Sequence, residues 1–293
     1  MLDELSGSEG ITRELSLGEV VSKTFDLYRR DFTKYLILFL VVEAITGTLS
    51  EIIQHSIIIP TLPVHATSQQ VLNALPGLFA AVTALIVLTL IVSLVFYPVA
   101  YGSSVKMASE AIKNRQTELG GSVQFTFSKL VSLWIVGIIV GIIVLLGLIA
   151  LIIPGIILAI MFSLVIPVIL IESSGALASL GRSRYLVSGR WLKTFALVLI
   201  FGIMLAIASA IAAAISGPFG SVSTIVSSLL SALYLPLIPI MITVYYYSNA
   251  ARVVPPQPPT APPSIQSGTR FCPSCGTPIS SMATFCPNCG AKL

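Results

Sequence analysis

The sequence predicts an all-α bundle that crosses a membrane six times, followed by a small cysteine-rich module. Three observations predict this fold class: an apolar composition, six long apolar segments, and four cysteines confined to the C-terminal end. The 293 residues are 55% hydrophobic and 10% charged, whereas soluble domains are about 45–50% apolar and about 25% charged. The mean hydropathy is +0.97. This composition argues against a soluble globular enzyme, and against extensive disorder, which requires low hydrophobicity.

Six apolar segments are long enough for the hydrocarbon core of a bilayer, which takes roughly 20 residues of helix. They cover residues 35–56, 77–101, 130–152, 155–171, 193–215 and 222–247. The third and fourth form one apolar run, which unbroken would be about 63 Å long, so a hairpin must divide it. Pro154 and Gly155 permit that turn, and Pro218 with its neighbouring glycines divides the fifth segment from the sixth.

The basic residues predict the orientation of the bundle. All 16 lysines and arginines lie before the first segment or after the second, fourth and sixth. Cytoplasmic loops retain such residues, so the pattern predicts a multi-pass protein of the cell membrane with both termini in the cytoplasm. The first ten residues are acidic and lack the apolar core of a signal peptide, so we expect the N-terminal segment to be retained.

Composition divides the chain into four regions. A cytoplasmic amphipathic segment covers residues 1–34, the transmembrane domain 35–250, a proline-rich linker 251–270 and the cysteine-rich module 271–293. Six of the nine residues 255–263 are proline. This density predicts an extended, semi-rigid spacer about 28 Å long.

Three segments resemble one another and predict an internal repeat. The first, LSLGEVVSKTFDLYRRDF, has apolar residues at helical spacing, and Ser16 with Glu19 fits a capping box. Residues 119–129 and 175–195 are the two segments similar to it. We therefore interpret the fold as three units, each an amphipathic helix with a transmembrane hairpin. We expect these helices at the membrane interface, with basic residues toward anionic lipid. These membrane-surface residues are Arg29, Arg30, Arg182, Arg184 and Arg190.

The cysteines form two CxxC motifs with the metal-ligand residues Cys272, Cys275, Cys286 and Cys289. Each motif lets two sulfurs converge on one ion, and the pair supplies the four thiolates of a tetrahedral zinc site. The glycine after each second cysteine permits a left-handed turn. A redox dithiol or disulfides are the alternative. The paired spacing favours one structural zinc ion in a zinc ribbon, and a reducing cytoplasm keeps the thiols free.

The expected partners follow from the charge of this module. Its residues 270–293 contain two basic side chains, Arg270 and Lys292. Nucleic-acid binding needs a larger basic surface, so the sequence argues against nucleic acid. Phe271 and Phe285 are candidate exposed aromatic residues. We therefore expect the ribbon to bind a cytoplasmic protein while the helices contact the lipid bilayer.

Glu43 stands mid-way along the first apolar segment, where an acid costs about 2.5–3.5 kcal/mol and is a functional candidate by default. Spacings of three and four gather Glu43, Thr46, Ser50 and Glu51 into a polar stripe that should face other helices or a cavity. One interpretation is a proton or cation site in a permeation path, and the other is a hydrogen bond that fixes packing. The candidate hydroxyl partners are Thr83, Thr89, Ser93, Tyr97, Ser209, Ser228 and Tyr234.

Two further polar groups have simpler interpretations. His55 and His65 lie near the expected outer face with Glu51, but histidines ten residues apart are more typical of a surface than of a metal site. Glu172 ends the fourth segment, and we expect it to pair with Arg182 or Arg184 in a structural role.

Residues 154–195 resemble the membrane domain named after glycerophosphoryl diester phosphodiesterases. The resemblance rests on Pro154-Gly155, on Pro167 followed by an apolar run into Glu172, and on the segment from Arg182 to Arg190. That superfamily includes uncharacterised bacterial and archaeal membrane proteins, and a membrane domain with a terminal zinc ribbon is similar to archaeal ones. The resemblance implies a multi-span helical domain and no activity, because the soluble phosphodiesterase part is not seen here.

Three hypotheses for function remain at this stage. The first is a non-enzymatic membrane anchor or scaffold that presents the ribbon to a protein. The second is a transporter or channel that uses Glu43. The third, an enzyme acting on lipid phosphodiesters, rests on the family name alone. The sequence contains no GxSxG, HExxH or phosphate-binding glycine loop, so we predict that the chain is not an enzyme and assign no catalytic residue.

Overall fold

The computed structural model describes residues 10–56, 67–253, 269–280 and 284–292. It divides the chain into two compact units, Met1–Val253 and Val254–Leu293. In the described residues, the first unit is helical and the second contains a two-stranded antiparallel sheet. Most of the predicted proline-rich spacer lies outside the described residues.

The helices and strands follow the apolar pattern of the sequence closely, with the differences described below. Their bounds are α1 Leu17–Arg30, α2 Phe32–Ser56, α3 Ser68–Ile112, α4 Leu119–Ala150, α5 Ile152–Met161, α6 Val165–Ile171, α7 Ala176–Val187, α8 Trp191–Ser216, α9 Ser223–Ser231, α10 Leu237–Val253, β1 Thr269–Phe271 and β2 Pro278–Ser280, with a short 3-10 helix at Gly217–Val222.

Five stretches of the described residues are helical, long and apolar enough to cross a membrane. They are Phe32–Ile53, Ser68–Ile112, Leu119–Ala150, Ile152–Ile171 and Trp191–Gly220. Large apolar side chains such as Ile149, Ile203 and Phe79 are exposed along them. Since such surfaces are rare on proteins surrounded by water, this exposure indicates contact with lipid.

The predicted sixth span, residues 222–247, is not one helix. It forms α9 and α10, separated by turns at 232–236. Pro236 and Pro239 explain the interruption, because a proline donates no N–H and its ring clashes with the carbonyl four residues earlier. Pro167 has the same effect between α5 and α6, whereas Pro98 lies inside the continuous helix α3.

The hairpin between α4 and α5 turns at Leu151, which is extended, and not at Pro154-Gly155 as the sequence predicts. Pro154 instead lies in the first turn of α5. Backbone N–H groups in the first turn of a helix have no carbonyl partner within that helix, so a proline there costs no hydrogen bond. Gly155 has a different role: a Cβ there would lie 2.5 Å from side-chain atoms of Leu148 and 2.7 Å from its backbone nitrogen. Glycine therefore permits the close approach of the two helices.

Helix α1 begins at the predicted capping box. Ser16 Oγ accepts a hydrogen bond from Glu19 N, and Ser16 N donates to Glu19 Oε2. The sequence analysis expects α1 to lie at the membrane interface, with its apolar face toward lipid. In the structure, protein covers that face instead. Val20 and Leu27 are buried in the main core, and α1 packs chiefly on α10.

The predicted repeat is only partly visible. The first and third units each have a short helix, a break and a long helix, in α1–α2 and in α7–α8. Residues 119–129 instead form the first turns of α4, without a break. The core is concentrated at the end of the bundle that carries the basic residues, where α1, α10 and the C-terminal part of α3 meet. Hereafter this is called the basic end.

Candidate functional site

Two short turns position the four cysteines. In each turn a glycine N–H donates to the carbonyl of the first cysteine: Gly276 to Cys272 at 2.8 Å and Gly290 to Cys286 at 2.9 Å. The two glycines have φ of +72° and +71°, a conformation that favours glycine because it has no Cβ. The repeated turn therefore aims the sulfurs of each CxxC motif to one side.

A small sheet flanks the first turn, and a single β-bridge between Phe285 and Lys292 flanks the second. Strands β1 and β2 pair antiparallel, with Arg270 opposite Ile279. Cys272 N donates to Thr277 O at 3.0 Å, and Cys286 N donates to Ala291 O at 2.9 Å. Thr269 and Arg270, which the sequence analysis places in the linker, belong to β1.

The sulfur positions fit one tetrahedral ion. The Sγ atoms of Cys272 and Cys289 are 3.7 Å apart, and those of Cys275 and Cys286 are 3.6 Å apart. All four atoms lie within 4.8 Å of one another. With zinc–sulfur bonds of about 2.3 Å, a tetrahedron has edges of roughly 3.8 Å, whereas a disulfide bond is about 2.05 Å long. The four cysteines are free thiols, so the geometry fits a closed four-cysteine zinc site.

The comparison with protein families agrees with this geometry. The family model for a zinc-ribbon domain matches residues 265–293. These residues form a zinc ribbon. Because four thiolates fill the coordination sphere, its single zinc ion is structural. Among curated proteins and solved structures, none matches the chain.

Two aromatic rings are exposed on the zinc ribbon. Phe271 is 67% exposed and Phe285 is 61% exposed. Each residue directly precedes the first cysteine of its CxxC motif. The ribbon contains too few residues for an apolar core of its own, and its buried cluster consists of Cys272 and Cys286 with Ala291 packed against them. Its two large aromatic side chains are therefore not used to build that core.

Glu43 is the second candidate site, and it is buried within the helical unit. Its side chain is 4% exposed. Tyr97 of α3 donates a hydrogen bond to Oε1 at 3.1 Å, and Ser231 of α9 donates to Oε2 at 3.0 Å. Tyr97 is one of the predicted hydroxyl partners and is confirmed. Ser231 was missed, because its position depends on how α9 packs on α2.

The other members of the predicted stripe lie on α2 but do not donate these bonds. Thr46 is buried and donates to Val42 O of its own helix at 2.9 Å. Ser50 and Glu51 are half-buried. Gly47 marks where α2 meets α9, because a Cβ there would lie 2.7 Å from the Ser228 side chain. At Glu43 and Gly47 the stripe therefore packs against other helices.

A cavity lined with hydroxyl groups lies beside Glu43. Its volume is about 440 Å³. Ser231 belongs to its lining and also bonds to the carboxylate, so this hydroxyl connects the cavity with Glu43. The regular spacing of serines along α9 is the sequence signal that points to this surface. The lining consists of Ser216, Ser223, Thr224, Ser227, Ser228, Ser231 and Tyr234.

The prediction that His55 and His65 are surface residues and not a metal site falls outside the described residues. The side chain of His55 and all of His65 lie outside the described residues. Within the described part of the chain, the group of histidine, cysteine and acidic residues that could hold a metal ion is the cysteine cluster.

Three of the five predicted membrane-surface arginines contact protein groups. Arg30 donates to Ala111 O at 3.3 Å. Arg182 donates to both oxygens of Glu172, at 2.9 and 3.1 Å, which confirms one of the two predicted pairings. Arg190 pairs with Glu14, and Arg29 and Arg184 are exposed.

Glu14 joins the N-terminal segment to α8. Arg190 Nε and Nη2 donate to its two oxygens at 2.8 and 3.0 Å, and Lys193 Nζ donates at 2.7 Å. The hydrogen bonds from Arg190, and then those from Lys193, lower the pKa of Glu14 to about 2 although partial burial opposes this. Leu15 N also donates to Ser248 of α10 at 2.8 Å. These contacts hold residues 14 and 15 against the basic end.

Proposed function

We propose that the protein is a membrane scaffold that presents its zinc ribbon to a cytoplasmic protein. The observation that carries this proposal is the closed four-cysteine site, which leaves zinc no open position for a substrate. The metal then serves to fold a small module, and the two exposed phenylalanines offer that module an apolar contact surface. Aromatic side chains are enriched where proteins bind one another. A zinc ribbon joined to an apolar helical bundle is typical of a non-enzymatic membrane protein.

The scaffold proposal is tested in native membranes with the full chain. A photo-crosslinking amino acid at Lys292, on the ribbon, should give a discrete adduct with one protein. The double variant Phe271→Ser with Phe285→Ser should abolish that adduct, whereas Ser274→Ala, an exposed change on the same ribbon, should preserve it. Absence of any adduct, or an adduct that persists in the double variant, would contradict the proposal.

The same proposal includes a topology of six spans with both termini in the cytoplasm. Its support is the restriction of all 16 lysines and arginines to alternate connections, together with the need of zinc-binding thiols for a reducing compartment. In this topology α9 and α10 together make the sixth crossing, as a broken helix. The resemblance to the glycerophosphoryl diester phosphodiesterase membrane domain stays a prediction, and we propose it for the fold alone.

Topology is tested with a membrane-impermeant maleimide and the variant Phe219→Cys. The introduced cysteine, in the connection between α8 and α9, should react in intact cells. The four ribbon cysteines should react only after permeabilisation with a chelator present. Labelling of the ribbon in intact cells would overturn the orientation.

A second function is favoured by the cavity beside Glu43. We propose, as the alternative, that the buried carboxylate and its hydroxyl-lined cavity form a proton pathway through the helical unit. In proteoliposomes with a pH-sensitive dye inside, the parent protein should carry proton flux. Glu43→Gln should abolish it, and Thr48→Ala, an exposed change on the same helix, should not. Equal flux in protein-free vesicles and proteoliposomes rejects this alternative.

A further inference from the structure

A cleft at the basic end is formed by α5, α7 and the first residue of α8. Its volume is about 350 Å³, and its lining includes neither a zinc-ligand cysteine nor Glu43. The lining consists of Ile157, Met161, Arg184, Val187, Ser188, Gly189 and Trp191. No acidic residue contributes to this lining.

The cleft has a charged end and an apolar end. Arg184 lies in the last turn of α7, and Ser188 directly follows that helix. Ser183 ties α7 to the end of α5 by donating to Met161 O at 2.9 Å. Ile157 lies one turn earlier in α5, about 6 Å further along the helix, and is exposed within an apolar span. A ligand that fills the cleft therefore needs an anionic part and a hydrocarbon part.

The arginines around the cleft differ in what they contact. Glu172 accepts the hydrogen bonds of Arg182, and Glu14 accepts those of Arg190. In the part of the chain that the structure describes, Arg184 is exposed and has no carboxylate within ion-pair distance. Arg252 adds a second positive charge nearby, because its Nη2 donates to Ser188 O at 3.2 Å. The cleft thus has an excess of positive charge that an anion would balance.

The neighbouring groups suit a phosphate at a membrane interface. A guanidinium binds two phosphate oxygens at once through parallel N–H donors. Trp191 is 52% exposed at the first position of α8, and indole rings are enriched where hydrocarbon meets lipid headgroups. Gly189, with φ of +74°, allows the sharp turn that brings Trp191 next to Arg184.

We propose that this cleft binds an anionic phospholipid, with Arg184 on the phosphate and an acyl chain along Ile157 and Met161. The lipid would lie between α5 and the start of α8. The inference is independent of the scaffold proposal, because it concerns the helical unit and requires no protein partner. Free phosphate shares the headgroup chemistry, and the experiment separates the two ligands.

The test uses Trp191 as the reporter, since the chain has two tryptophans and Trp134→Phe leaves one. The full-length variant is reconstituted in phosphatidylcholine containing a small fraction of brominated phosphatidylglycerol or, in parallel, of brominated phosphatidylcholine. Quenching should report about fivefold enrichment of phosphatidylglycerol beside Trp191, equivalent to about 1 kcal/mol for one basic residue. Arg184→Gln should reduce the enrichment to about onefold.

The matched control is Arg29→Gln, which removes the same charge from another exposed position at the basic end and should preserve the fivefold enrichment. Equal quenching by the two lipids, enrichment that survives Arg184→Gln, or an equal loss in Arg29→Gln would overturn the proposal. Reversal of the enrichment by millimolar inorganic phosphate would overturn the assignment to a phospholipid.

A second measurement avoids the change at Trp134. Native mass spectrometry of the otherwise unchanged protein, released from mixed-lipid nanodiscs, should detect one retained phosphatidylglycerol. Arg29→Gln should retain that lipid and Arg184→Gln should lose it. Retention by Arg184→Gln would contradict the proposal.

Discussion

Ser231 of α9 donates a hydrogen bond of 3.0 Å to the carboxylate of Glu43, 188 residues earlier in α2. Tyr97 of α3 holds the other oxygen, so one acid joins three helices. The carboxylate is removed from lipid and supplied with donors, which is the condition under which a buried polar group is tolerated.

Removal of one donor should destabilise this junction. We expect Ser231→Ala to lower the free energy of unfolding by about 1–2 kcal/mol, because Glu43 Oε2 would lose a hydrogen bond in a buried site. Ser128→Ala, an exposed hydroxyl of α4, should change it by less than about 0.5 kcal/mol. Thermal unfolding in detergent, followed by circular dichroism, measures both. Similar midpoints for the two variants would show that the bond to Glu43 contributes little.

Two glycine substitutions should have opposite effects. Gly155→Ala places a methyl group against Leu148 and should destabilise the α4–α5 hairpin by about 1–3 kcal/mol. Gly202→Ala in α8, where no atom lies within 4 Å of the added carbon, should stabilise the protein by about 0.5–1 kcal/mol. The same unfolding assay compares them, and a stabilising Gly155→Ala would refute the close approach.

The contact between Glu14 and Arg190 should depend on pH. The pKa of Glu14 is lowered from 4.5 to about 2, so the contact stabilises the docked N-terminal segment above pH 4.5. That stabilisation is lost as the pH falls from 4.5 toward 2, because over this range the undocked form binds a proton at Glu14 more readily than the docked form does. The protection of α1 amides from hydrogen exchange, relative to the intrinsic exchange rate at each pH, should decrease over this range.

The matched variant is Glu14→Gln, in which the protection of α1 amides, relative to intrinsic exchange, should be lower at neutral pH and nearly independent of pH between 4.5 and 2. Glu110→Gln, which removes an acid paired with Lys106 within α3, should keep the parent profile. A parent-like profile in Glu14→Gln would assign the pH dependence to another group.

Zinc removal should unfold the ribbon and leave the helical unit intact. The purified protein should contain one zinc ion per chain by elemental analysis, and Cys272→Ser should contain less than about one tenth of that, since a buried ligand is lost. Chelation should abolish protection of ribbon amides from hydrogen exchange without changing the helical circular dichroism. Retention of amide protection after complete zinc removal would show that another interaction folds these residues.

Local features were predictable from the sequence, whereas contacts between distant segments were not. The capping box at Ser16 and the cysteine spacing depend on residues near one another in sequence. Glu172 and Arg182 are also close, ten residues apart across the connection between α6 and α7. Ser231 could not be assigned to Glu43 because Pro236 and Pro239 break the helix that carries it. The pairing of Glu14 with Arg190 joins residues 176 positions apart. The hairpin position was wrong because a proline is tolerated in the first turn of a helix as well as in a loop.

Helix α3 has 45 residues, which is about 68 Å of continuous rod, roughly twice the thickness of bilayer hydrocarbon. Even a tilt of about 40° leaves some 30 Å outside the oily layer. Many side chains of its last turns, between Val99 and Ile112, are buried among other helices, so we expect part of the excess length to belong to a packed region outside the bilayer. A detergent micelle would leave that region uncovered, so antibody fragments that bind it would serve as rigid markers in electron cryomicroscopy.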